Sequence, residues 1–225
     1  MYYFTDPVEL ADEPGDVLLR RKLYGAVLQA AGERPLAIAP DEPWLHVMAQ
    51  PTAHGRVHVV YNTKPAPGRE DAELPTAAGE IRLAVRNRYP ALAAVTAAGK
   101  LVATSADGRV DCAGQTVLQG EGLKAVLSLD GEDLRRSQAV LVGPFEPGRL
   151  ELAPRADKPV ALVGDINRGR WRTLERVSLA AERPMIDIDG DRATCLILIA
   201  DAAQLSRCTA DIERSILHPE QVAGY

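Results

Sequence analysis

The chain has 225 residues, 46% hydrophobic but only 4% aromatic, with 31 acidic against 26 basic side chains and a net charge of −5. That length allows one large domain or two small ones around an aliphatic core, and the interspersed charge gives no electrostatic footprint for nucleic acid or an anionic membrane. The longest apolar stretch, Ala193 to Ala200, falls far short of the roughly 20 residues a membrane helix needs, and the first residues lack the basic and apolar regions of a signal peptide, so a cytoplasmic protein is expected.

Residues 1–43 read differently from the rest. Tyr2 to Phe4 is a short β-prone piece that ends at Asp6 and Pro7. Between Asp16 and Ala31, the apolar residues Val17, Tyr24, Val27, Leu28 and Ala31 recur at helical spacing, and Leu23 widens the stripe. Asp16 suits an N-cap and Gly32 the position after the helix, and Pro35 prevents continuation. Leu36 to Ala39 then reads as a strand. The expectation is an N-terminal strand-helix-strand fragment, either the end of an α/β unit or a lid on the β region.

From Trp44 the period becomes two. Leu45 and Val47 alternate with His46, and Val57, Val59 and Tyr61 alternate with His58 and Val60 across a turn holding Pro51 and Gly55. Lys64 to Pro75, rich in proline, glycine and charge, reads as a surface loop. Ile81, Leu83 and Val85 mark a half-buried strand. Further strands are expected at 91–96, 100–105, 109–112, 116–118, 124–129, 139–142 and 150–152. Four phrases of one shape, at 52–57, 76–81, 96–101 and 105–110, place glycine two residues before an aliphatic side chain and read as reused turn chemistry.

A joint near Arg155 to Pro159 precedes strands at 160–163, 171–179, 185–188 and 193–200, then an amphipathic helix through Leu205, Cys208, Ile212, Ile216 and Leu217. The expected organisation is an α/β fragment (1–43), an antiparallel β domain (44–154) and a second β group with a C-terminal helix (155–225). The fold class is mainly β, an antiparallel sandwich or barrel-like region.

No catalytic constellation stands out. Cys112, Cys195 and Cys208 lack CxxC spacing and read as structural thiols. His46 and His58 could face each other across a hairpin, but no third metal ligand is specified, and polar-face histidines are the plainer reading. Asp187, Asp189 and Asp191 fail the ligand pattern of a calcium loop. The acidic pairs Glu70 with Asp71 and Glu132 with Asp133 read as solvated turn charge. No cofactor or metal is expected. Trp44 and Trp171 are the candidate ligand-binding residues, because sugar-binding sandwiches stack pyranose rings on aromatics, although a tryptophan is more often a core filler.

Five segments carry a resemblance: Tyr2 to Leu10, Arg21 to Tyr24, Ala30 to Pro35, Val47 to Pro51 and Val57 to Asn62. Their order resembles the C-terminal region of bacterial glycoside hydrolases of the trimer-forming β-galactosidase type. In that family a catalytic β/α barrel is followed by a trimerisation domain and a small antiparallel β domain. The resemblance covers residues 1–110 and implies the close of the trimerisation-type domain followed by the opening hairpin of the β domain. The family's catalytic glutamates lie on the barrel, so no catalytic residue carries over. The implied function is a non-catalytic accessory region in carbohydrate metabolism, with a catalytic barrel segment or a second copy as partner. One alternative is a free-standing carbohydrate-binding sandwich. The other is a glycoside hydrolase using turn carboxylates such as Asp165 and Asp187.

Overall fold

The structure, a computed structural model, describes residues 44–153 and 158–217. The strand-helix-strand expected within residues 1–43 lies outside the described residues, as does most of the joint at 155–159. Two antiparallel sheets enclose one aliphatic core, and one helix lies near the C-terminus.

The chain lays hairpins alternately into the two sheets. β1 (Leu45–Thr52) and β2 (Gly55–Asn62) begin a nine-stranded sheet, and β3 (Arg69–Thr76) and β4 (Gly79–Arg86) begin a six-stranded one. β5 (Ala91–Thr96) and β6 (Leu101–Asp107) return to the first, and β7 (Val110–Cys112) and β8 (Gln115–Gly120) to the second. β9 (Leu123–Ser128) and β10 (Ala139–Pro144) extend the nine-stranded sheet, and β11 (Gly148–Leu152) the six-stranded one. Beyond the joint the pattern persists. β12 (Pro159–Asn167), β13 (Arg170–Ser178) and β15 (Leu196–Asp201) complete the nine-stranded sheet, and β14 (Met185–Ile188) edges the other. Strands from both sides of residue 155 therefore share both sheets and the core.

The turn phrases explain the hairpin end. Three of the four connect β1–β2, β3–β4 and β5–β6, and their turns pack on one another: the Ala97 amide donates to the His54 carbonyl at 2.7 Å. Gly99 has φ +74°, and a Cβ there would sit 2.5 Å from the Ala77 carbonyl oxygen, so only glycine fits. The fourth phrase, 105–110, is not a hairpin. It carries the chain from β6 to β7, between sheets, at the opposite end.

Side chains alternate as a sandwich requires. Leu45, Val60, Ala93, Val126, Val140 and Ile197 point in from one sheet and Leu74, Leu83, Val110, Leu150 and Ile186 from the other. β12 and β15 are buried on both faces, because the helix α1 (Leu205–Leu217) seats Leu205, Cys208 and Ile212 on their outer side, against Val160, Leu162, Leu198 and Ala200. This double burial gives the near-continuous apolar run at 196–200.

Three expectations are corrected. The loop expected at 64–75 is largely strand β3, with Ala72 and Leu74 buried. Its Pro75 is tolerated because β3 is the edge of its sheet. The face of β2 is the reverse of the expected one: His58, Val60 and Asn62 are buried, while Tyr61 is 38% exposed. The strand expected at 193–200 begins only at Leu196, after a 3₁₀ turn at Arg192–Thr194, so Cys195 is half-buried rather than buried.

Candidate functional site

At the end opposite the hairpin turns, five connections cross between sheets, and five charged side chains from them meet. Arg86, closing β4, forms a two-pronged pair with Glu146 at 2.6 and 2.8 Å and reaches Asp107 at 3.3 Å. Arg69, its cross-strand partner, lies 3.3 Å from the same Asp107 oxygen. Glu146 also accepts the Leu123 amide at 3.1 Å, and the Arg86 guanidinium lies 4.7 Å over the Tyr89 ring. Asp107 is 3% exposed, and its Oδ1 has no hydrogen-bond partner among the described residues. Lys124 is 1% exposed and donates to the carbonyls of Glu121 and Gly122. Burial holds its pKa below the ordinary 10.5, opposed by Asp107, Glu146 and Glu121.

Gly68, Arg69, Arg86, Asp107, Gly122 and Glu146 line an open depression of about 350 Å³ here. The sequence reading missed this group because its members come from separate turns, with Arg86 and Glu146 60 residues apart. Chemically it is a tie between sheets. Its carboxylates are engaged by arginines: Glu146 by Arg86, and one Asp107 oxygen by Arg86 and Arg69.

The two tryptophans are not brought together. Trp44 precedes β1, at one edge of the nine-stranded sheet, and its carbonyl accepts from the Thr63 amide and hydroxyl at 2.9 and 3.1 Å. Trp171 is on β13, at the other edge. Both are half-buried. The Trp171 amide donates to Glu213 of α1 at 2.9 Å and its indole N–H to Thr173 at 3.0 Å. A Cβ at Gly164 would fall 2.8 Å from Trp171 Cζ2, so this glycine makes room for the ring. Asn167, Arg168, Arg170, Trp171 and Arg172 line a second open depression, of about 500 Å³.

Other expected groups separate in the same way. The β1–β2 register pairs His46 with Tyr61 and Ala49 with His58, which puts the histidines on opposite faces. His46 bonds the Thr63 hydroxyl at 3.0 Å. His58 is 3% exposed, and burial, then Arg56, lowers its pKa from 6.5, so the polar-face reading of His58 is corrected. Asp133 is not solvated turn charge either. It is 6% exposed and accepts from the Leu101 amide at 3.0 Å and from Arg135 at 2.7 Å. Burial pushes the Cys112 and Cys208 thiols up. Among the described residues no three His, Cys, Asp or Glu side chains converge as metal ligands, and no helix is long and apolar enough to cross a membrane.

No family model, no curated protein and no solved structure matches this chain.

Proposed function

We propose that residues 44–217 act as a non-catalytic β-sandwich scaffold, the accessory region of a cytoplasmic glycoside-hydrolase-like protein in carbohydrate metabolism. It braces a catalytic barrel segment or a second copy of itself. The observation that best supports this is the state of the acids beside both depressions. Glu146 and Asp107 are held by Arg86, and Asp165 by Arg172 at 3.0 Å. A retaining hydrolase needs two carboxyl groups about 5 Å apart, one of them protonated to start the reaction. Asp165, on β12, is kept below the ordinary aspartate range by its bond to Arg172. Asp187, the other candidate acid, sits on β14 in the opposite sheet and is bound to Arg149 at 2.7 Å. The test is turnover of aryl β-galactosides and β-glucosides by the full chain. Rates at background are expected, and turnover that Asp165→Asn or Asp187→Asn abolishes would overturn the reading.

A second reading, a carbohydrate-binding module, draws on Trp171 with arginines and Asn167 around its depression. Titration with galactosides and glucosides, followed by tryptophan fluorescence, separates the two. Saturable quenching lost in Trp171→Ala favours this alternative.

A further inference from the structure

Many exposed arginines are matched with carboxylates, as Arg82 is with Glu73 and Arg149 with Asp187. The hairpin joining β12 to β13 departs from this. Arg168, Arg170 and Arg172 crowd its tip, and among the described residues only Asp165 pairs with any of them. Asp165 holds Arg172 through Nε and Nη2, which leaves Nη1 without a partner among the described residues. Arg168 and Arg170 make no ion pair among the described residues.

Arg168 stands where the backbone disfavours it. Asn167 pairs with Arg170, so the loop is Arg168 and Gly169, with φ +52° and +76°. Such a turn prefers asparagine, aspartate or glycine at its first position, because other side chains crowd the backbone when φ is positive. Charge on an edge strand deters pairing with another chain, but that protection does not require an arginine in the turn. Strain kept at such a place goes with function rather than stability.

The same arginines border the open depression of about 500 Å³, together with Asn167 and Trp171. That volume falls within the roughly 300–1,000 Å³ of small-molecule sites. Among the described residues no carboxylate lines it; Glu213 of α1 accepts the Trp171 amide from outside the lining. The indole packs beside Gly164, and its N–H is held by Thr173 at 3.0 Å, so the ring is fixed beside the guanidinium groups.

Charge sets the ligand class. With Arg172 balanced by Asp165, Arg168 and Arg170 leave two positive charges unmatched at the tip. A phosphate monoester carries about −1.5 to −2 at pH 7 and accepts the forked hydrogen bonds that guanidinium groups donate. Trp171 suits a ring, sugar or base, attached to that phosphate.

We propose that the tip of the β12–β13 hairpin is a binding site for a small ring-bearing phosphate monoester, its phosphate held by Arg168, Arg170 and the outer edge of Arg172 and its ring against Trp171. This goes beyond the accessory reading and does not depend on it.

The test is isothermal titration calorimetry on the full chain in a phosphate-free buffer at low salt. The probes are AMP and glucose 6-phosphate, with adenosine and glucose as their uncharged counterparts. At least one ester should bind saturably, about ten-fold or more tighter than its counterpart, and which one it is tells a base from a sugar. Arg168→Asn with Arg170→Gln should weaken that binding about ten-fold or more. Asparagine suits the turn better than arginine, so the urea midpoint of this variant should not fall. Should it fall, Arg170→Gln alone, which leaves the turn intact, must still weaken binding about three-fold. Arg82→Gln with Arg149→Gln, on the other sheet, should bind as the wild type does. No saturable binding of either ester overturns the proposal, as does undiminished affinity in the hairpin variants. Equal affinity for glucose and its phosphate also overturns it, in favour of the neutral-sugar alternative. So does an oligothymidylate that binds about a hundred-fold tighter than both esters, since the hairpin would then follow a nucleic-acid strand.

Discussion

Asp133 and His58 illustrate opposite uses of a buried titratable group. Burial raises the Asp133 carboxyl, but bonds from Arg135 and the amides of Arg135 and Leu101 more than offset it, and the folded pKa lies below the ordinary 3.8. A depressed carboxyl stabilises the fold above 3.8, and that stabilisation is lost as pH falls through the folded value. Asp133→Asn should lower stability by about 2 kcal/mol at neutral pH in urea unfolding, with the gap to wild type narrowing in acid. His58 works the other way. Its folded pKa is below 6.5, so the unfolded chain takes up a proton first, and stability falls as pH drops below 6.5. His58→Leu, which also removes the unpartnered Nδ1, should flatten the decline in urea midpoint between pH 6.5 and about 5. The alternation of Val57, Val59 and Tyr61 suggested the wrong face for His58 because both faces of β2 carry apolar residues. The decisive signal was the hairpin: with Ala53 and His54 at the turn, Leu45 and Val47 fall opposite Asn62 and Val60.

Among elements, the crossing connections hold the sheets together through Arg86. Removing it leaves Asp107, which is 3% exposed, and Glu146 without their shared cation. Breaking a buried pair is strongly destabilising, whereas Arg86 and Glu146 are each about a third exposed and count for less. Arg86→Met should therefore cost about 2–3 kcal/mol in equilibrium unfolding, against less than about 1 kcal/mol for Arg149→Met on the exposed outer face. Most strands were legible because β-prone residues alternate between glycine turns, as at β5 and β14. β3 was not, since an edge strand tolerates proline and outward charge, and Arg69 to Thr76 therefore has a loop's composition. The cluster around Arg86 was hidden for another reason. Its charges become neighbours only when hairpins alternate between sheets, which no local pattern in the sequence encodes.

For the whole molecule, that alternation makes residues 44–153 and 158–217 share one core, with the arginine-held acids at one end and the stacked turns at the other. The proposed bracing role draws on the acids that arginines hold, Asp107, Glu146, Asp165 and Asp187. The most direct check is covalent trapping of a nucleophile. An activated 2-deoxy-2-fluoro β-galactoside or β-glucoside leaves its sugar on the nucleophilic carboxylate of a retaining hydrolase. After incubation with the full chain, mass spectrometry should find the unmodified mass. A single sugar adduct on an Asp or Glu between residues 44 and 217 would contradict the scaffold account.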